Sequence, residues 1–188
     1  MAIEDEALRI LNEFREKSEP LGVIVLRVGT IGDAARAVAD WAISLGAESV
    51  VVSSELTRQA PSIGPALETA GVQPLPPGTP AATRDAPLGL SLGRLAIAET
   101  GSVLLSEPSL EDRSIGMLSL AHATLCPTSS LVESLDDAVT ELRALALQTG
   151  CAFSTLVTGP SRTADIERVL TVGVQGPGKV MTLFVDDL

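Results

Sequence analysis

Gly22-Val23-Ile24-Val25-Leu26-Arg27-Val28 decides how this chain is read, because a run of apolar, mostly β-branched residues is followed at once by a helical pattern. Thr30 and Asp33 have capping-box spacing, Ala34, Val38, Trp41 and Leu45 recur at helical intervals, and Gly46 is placed to end the helix. Working outward, Glu4 to Lys17 reads as an amphipathic helix, Ser49 to Ser53 as a second strand, Ile63 to Ala70 as a short helix and Val72 to Leu75 as a third strand. Strands alternating with helices predict right-handed βαβ units: a Rossmann-like α/β fold with a mixed, mostly parallel sheet flanked by helices.

Five prolines and a glycine lie between Pro74 and Pro87, so this segment is expected to be an extended surface loop between two halves of one domain covering 1–188. In the second half, Arg94 to Glu99 and Ser102 to Leu105 flank Thr100-Gly101 as a hairpin. His122 to Cys126 reads as a further strand. Ser134 and Asp137 cap a helix that carries Leu135, Ala138, Leu142 and Leu145 on one face and stops at Gly150. Phe153 to Val157, a short helix containing Asp165, and Val180 to Val185 complete the layout.

With 188 residues, 45% of them apolar, the chain can bury a sizeable core. A net charge of −11, one Trp, three Phe and no Tyr leave neither the phosphate-neutralising charge nor the stacking surface that nucleic acid needs. No apolar run is long enough to span a membrane and the first 17 residues have no signal-peptide h-region, so a cytoplasmic protein without membrane insertion is expected. Cys126 and Cys151 are too few and too far apart for an iron–sulfur cluster, and both are expected to be buried small hydrophobes.

Gly159-Pro160-Ser161-Arg162-Thr163-Ala164-Asp165-Ile166-Glu167 joins a strand-like run to a predicted helix start. Ser161 and Thr163 are capping types and Gly159 permits a tight turn, so free N–H groups there would suit a small anion, with Arg162 or Arg113 as counter-charge and Asp165 opposing; plain capping explains the same residues. Glu99, at a strand end beside Thr100 and Gly101, is a candidate base or nucleophile, or simply a solvated hairpin turn. His122 is the single histidine and a tentative catalytic group; a hydrogen-bonded core histidine is the competing reading. Gly173 to Lys179 imitates a P-loop, but Val180 replaces the magnesium-binding hydroxyl and a strand follows. No metal site is predicted.

Taken together, Ala96 to Ser102, Leu120-Ala121-His122, Gly159 to Glu167 and Gly173-Val174-Gln175-Gly176-Pro177 resemble the LUD domain of lactate-utilisation protein C proteins, best from Leu88 onward. The resemblance implies the fold group of CoA-transferases and ribose-5-phosphate isomerase, and Ala98-Glu99-Thr100-Gly101 is similar to the Ser-Glu-Asn-Gly surround of the glutamate in family I CoA-transferases. It also implies a cytoplasmic, iron-free subunit that works with iron–sulfur partner subunits in oxidising L-lactate to pyruvate. A small carboxylate is the expected ligand, the chain itself carries no cofactor, and a homo-oligomer is compatible. Gln175 stands where the family usually has histidine; an amide hydrogen-bonds but does not titrate. Two other readings stay open: a stand-alone isomerase or acyl-transfer enzyme using Glu99, and an anion-binding module without chemistry.

Overall fold

The structure, a computed structural model, describes residues 2–149, 153–165, 168 and 170–188. In chain order the first half runs α1 (Ala2–Ser18), β1 (Val23–Val28), α2 (Ile31–Ser44), β2 (Ser49–Val52), α3 (Ser54–Gln59), α4 (Ile63–Thr69), β3 (Gln73–Leu75) and α5 (Pro80–Thr83). The second half runs β4 (Gly89–Leu92), β5 (Leu95–Ile97), β6 (Ser102–Ser106), α6 (Leu110–Leu118), β7 (Ala121–Pro127), β8 (Leu131–Val132) and α7 (Leu135–Thr149). It ends with β9 (Ser154–Val157), β10 (Arg162–Thr163), β11 (Thr171–Val172) and β12 (Lys179–Val185).

Six strands form a parallel sheet in the order β1-β12-β7-β4-β2-β3. Its inner strands are buried on both faces, which is why β7 and β12 read as near-continuous apolar runs rather than alternating ones. One face packs under α2 and α4 through Val38, Trp41, Leu67, Leu90, Leu125 and Leu183. The other meets α1 and the inner face of a second sheet, β8-β5-β6-β9, in a cluster that includes Phe14 edge-on to Phe184 with ring centroids 5.1 Å apart. On the far side of that second sheet, α7 lays Ala138 and Leu145 against Ile97 and Leu104. The mixed, mostly parallel α/β class is therefore as expected, with the antiparallel pairs confined to the smaller sheet and a short hairpin, β10–β11.

Local chemistry explains the elements. Thr30 accepts the Asp33 N–H at 3.1 Å and donates to its carboxylate at 2.7 Å, so the expected cap opens α2. At α7, Ser134 Oγ accepts the Asp137 N–H at 3.3 Å, and the Asp137 carboxylate accepts the Ser134 N–H at 3.0 Å. The expected hairpin forms with Ile97 paired to Ser102, its loop being Ala98 to Gly101 rather than two residues. Cys126 is buried, and desolvation holds its thiol well above the ordinary range; Cys151 and Gly150 lie outside the described residues.

Two expectations are corrected. The proline-rich segment is not uniformly extended: Pro80 at the first position of α5 costs no internal hydrogen bond, and Thr79 caps the turn at Ala82. The strands on either side of that segment share one sheet, with β4 inserted directly between β2 and β7. The helix expected around Asp165 is strand at Arg162 and Thr163, which pair antiparallel with Val172 and Thr171; Ile166 and Glu167 lie outside the described residues. Capping residues there serve a hairpin, since Thr163 Oγ1 accepts the Asp165 N–H at 3.2 Å.

Candidate functional site

All six parallel strands start at the same end of the sheet, and a cleft of 540 Å³ opens near the starts of β4 and β7. It is lined by the loop before β12, Gly173 to Gly176, by the end of α6, Met117 to Leu120, and by Arg84 and Asp85. Backbone bonds hold these segments together: Asp85 N–H donates to Leu118 O at 3.0 Å, Leu120 N–H to Ala86 O at 2.8 Å, and Gly178 N–H to Leu120 O at 2.9 Å.

The Gly173 to Gly178 loop folds back on itself. Gly173 has φ +80° and a Cβ there would stand 3.0 Å from Gly178 Cα, so glycine is required for both conformation and space. Gly176 makes room for Ser161, whose Cβ would lie 3.2 Å from any added methyl. Ser161 is tied to the same loop through its N–H to Pro177 O, 2.9 Å, and its carbonyl to Gly173 N–H, 2.8 Å. The structure thus brings Ser161, the loop that carries Gln175, and Leu120 together, although they lie far apart in sequence.

Other candidates are placed differently. Ser161 is not followed by a helix start: its N–H is engaged by Pro177 O, and Arg162 and Thr163 are strand. Arg162 donates to Leu21 O instead of facing the cleft, and Thr163 is occupied by Asp165 N–H. Gly159, at φ +79°, packs on Leu21 and Val23 at the start of β1. Gly101, at φ +63°, lets the hairpin approach Lys17 and Ser18 at the end of α1, with Thr100 Oγ1 buried and unpartnered among the described residues. Glu99 is exposed, and its carboxylate accepts the Leu135 N–H at 2.9 Å; it serves as a cap for α7 and does not line the cleft.

His122 lies on β7 beneath α6, 1% exposed. Burial pushes its pKa down to about 4, so the imidazole is neutral at physiological pH, and Nε2 has no partner among the described residues. It is a core residue on the strand that follows Leu120 of the cleft wall. The cleft itself offers one cation, Arg84, one carboxylate, Asp85, and one amide, Gln175, beside exposed Met117, Leu120 and Val174. That combination can pair with a carboxylate and cover a short carbon chain.

Arg84, Asp85 and the Met117–Ser119 wall were not among the expected site residues. The signal for Arg84 was its position as a cation within the proline-rich segment; the signal for the α6 wall was Ser109 three residues before Asp112, a cap whose hydroxyl does accept the Asp112 N–H at 2.9 Å. Among the described residues no group of three or more His, Cys, Asp or Glu side chains is placed to hold a metal. No helix among them is long and apolar enough to cross a membrane.

Comparison with known proteins follows the same lines. Over 103 residues the chain is 34% identical to lactate utilization protein C of Macrococcus caseolyticus, an alignment covering 53% of this chain and 44% of that protein. Over 104 residues it is 34% identical to lactate utilization protein C 1 of Bacillus mycoides, covering 54% and 44%. The match thus spans less than half the length of these relatives. The crystal structure of a DUF162 family protein from Deinococcus radiodurans superposes with a TM-score of 0.67 at 21% identity, covering 95% of this chain and 98% of that one, which shows a shared fold. The sequence model of the LUD domain matches residues 11–185, from the middle of α1 to the last residue of β12, and so takes in both sheets and the glycine loop at the cleft. This chain belongs to the LUD domain family.

Proposed function

We propose that the chain serves lactate use as the iron-free member of a cytoplasmic system whose partner subunits carry iron–sulfur clusters and oxidise L-lactate to pyruvate. The observation that carries the reading is that Leu120, Ser161 and the Gly173–Pro177 loop, drawn from three segments of the family resemblance, are tied together by backbone hydrogen bonds at one cleft, whose wall includes Leu120 and Gly173–Gly176. In this reading the redox centres belong to partners; Cys126 here is buried, its thiol held well above the ordinary range by desolvation. The cleft's share is to hold the carboxylate of a small acid between Arg84 and Gln175, with Met117 and Leu120 against its carbons. Nothing in the geometry favours an isomerase or acyl-transfer role for Glu99, whose carboxylate is engaged at α7.

The deciding experiment is affinity purification of the tagged chain from its native cell grown on lactate, followed by mass spectrometry and iron analysis. Cysteine-rich iron–sulfur subunits are expected to come along in fixed ratio, and deletion of the chain is expected to abolish growth on lactate. A chain that purifies alone from cells whose growth on lactate is unaffected by its loss would sink the reading.

A further inference from the structure

Met117 also lines a second, smaller cavity of 60 Å³, walled by Glu107, Arg113, Gly116 and Phe153. Glu107 sits between β6 and α6 and is 5% exposed, yet its Oε1 has no hydrogen-bond partner among the described residues. An unpaired buried carboxyl oxygen is costly unless something fills its place. Burial drives the Glu107 pKa up to about 7; the nearby Ser91 hydroxyl and the Arg113 charge oppose this, and the Asp112 charge adds to it. Ser91 Oγ itself also lacks a partner of normal geometry among the described residues.

The charged neighbours on α6 differ in what they have left to give. Asp112 is committed, accepting from Ser54 N–H at 2.7 Å and from Ser109 Oγ at 2.8 Å. Arg113 donates through Nε to Ser109 O at 3.1 Å and lays its guanidinium 3.8 Å over the Phe153 ring, but makes no ion pair among the described residues. Its terminal N–H groups are therefore available beside Glu107. From β7, His122 approaches Gly116, where an added Cβ would lie 3.4 Å from Cε1, and it is neutral.

A guanidinium with free donors, a carboxyl able to carry a proton and an aromatic wall complement one kind of ligand. A volume of 60 Å³ equals the liquid share of roughly two waters, enough for a carboxylate head and little more. An anion cannot settle against an ionised buried carboxylate, but a protonated one donates its O–H to it. We propose that this cavity binds the carboxylate head of a small monocarboxylic acid, clamped between the Arg113 guanidinium and the protonated Glu107 carboxyl, so that each anion enters together with one proton. The site is separate from the Arg84–Gln175 cleft and does not rest on the role in lactate use.

The test is titration calorimetry of the full chain with acetate at pH 6, 7 and 8, in two buffers of different ionisation enthalpy. For a group titrating near 7 that must be protonated in the complex, affinity is expected to be about tenfold weaker at pH 8 than at pH 6, with proton uptake approaching one per acetate at pH 8. Arg113→Gln should weaken binding at least about tenfold by removing a charge-assisted donor pair. Glu107→Gln should bind acetate with the pH dependence gone, because the amide still donates.

Absence of acetate binding at pH 6, equal affinity across the pH range, or proton-coupled binding that survives Arg113→Gln would overturn the proposal. Near-UV circular dichroism guards each variant. If Arg113→Gln does not fold, the carboxyl 13C resonance of Glu107 in the unmodified chain decides: acetate must raise its titration midpoint, and an unmoved midpoint refutes the site.

Discussion

At the scale of single residues, Glu99 shows how a carboxylate in a suggestive sequence setting becomes structural. Its backbone N–H bonds Glu133 O at 2.9 Å and its carboxylate takes the Leu135 N–H, so both ends of the residue hold the start of α7 to the β5–β6 turn. A carboxylate at a helix start satisfies an orphan donor and complements the helix dipole. Glu99→Ala is therefore expected to destabilise the chain by about 0.5–2 kcal/mol in urea denaturation, the usual range for a lost cap, while leaving carboxylate binding and growth on lactate intact. Loss of growth with unchanged stability would make Glu99 a reacting group again. His122 follows the same rule from the other side: a residue type prized in catalysis is neutral in the core.

Between elements, β7 and the β6–α6 connection carry two buried titratable groups with opposite demands on pH. His122 has its pKa depressed to about 4, so the unfolded chain binds the extra proton between about 4 and 6.5, and its contribution to stability is lost as pH falls through that window. Glu107 has its pKa raised to about 7 from the ordinary 4.5, so the folded chain holds the extra proton, and its contribution is lost as pH rises from about 4.5 to 7. The slopes cancel where they overlap, which predicts a nearly flat stability profile between about pH 4.5 and 6.5. Glu107→Gln should unmask the histidine, giving stability that climbs with pH from about 4 to 6.5; His122→Gln should unmask the carboxyl, giving stability that declines from about 4.5 to 7. Urea midpoints at half-unit pH steps check both slopes, and parallel profiles in the two variants would refute the opposition. The same elements show what was legible in sequence. β1, α2, β7 and the start of α7 could be read because apolar period and capping boxes agree there. α6 escaped because nine residues with Asp112 and Ser114 turned inward show no clean apolar face. The Asp165 helix failed because Ser161 and Thr163 fit a hairpin as well as a cap, and only the pairing with Thr171 and Val172, farther along the chain, decides between them. The cleft was half legible: Gln175 and Leu120 were named, but Arg84 meets them only through the fold.

For the whole molecule, strand order matters more than the proline-rich segment. β1 lies beside β12 and β2 beside β4, so strands from before and after that segment are interleaved, with three second-half strands standing between β1 and β2. A first half on its own would leave β1 without any neighbouring strand and strip the core face under α2 of Leu90, Leu125 and Leu183. Burying that apolar surface is the main force available to either half, and neither can complete it alone. The chain is therefore expected to unfold as one cooperative unit. Trp41, the single tryptophan, reports from α2 in the first half, while a fluorine label on Phe184 reports from β12 in the second. Their urea midpoints should coincide within error, with equal slopes, and fragments 1–77 and 78–188 should each lack a cooperative transition when purified separately. Two resolved midpoints, or a cooperative transition in either fragment, would show that the proline-rich segment is a real boundary after all.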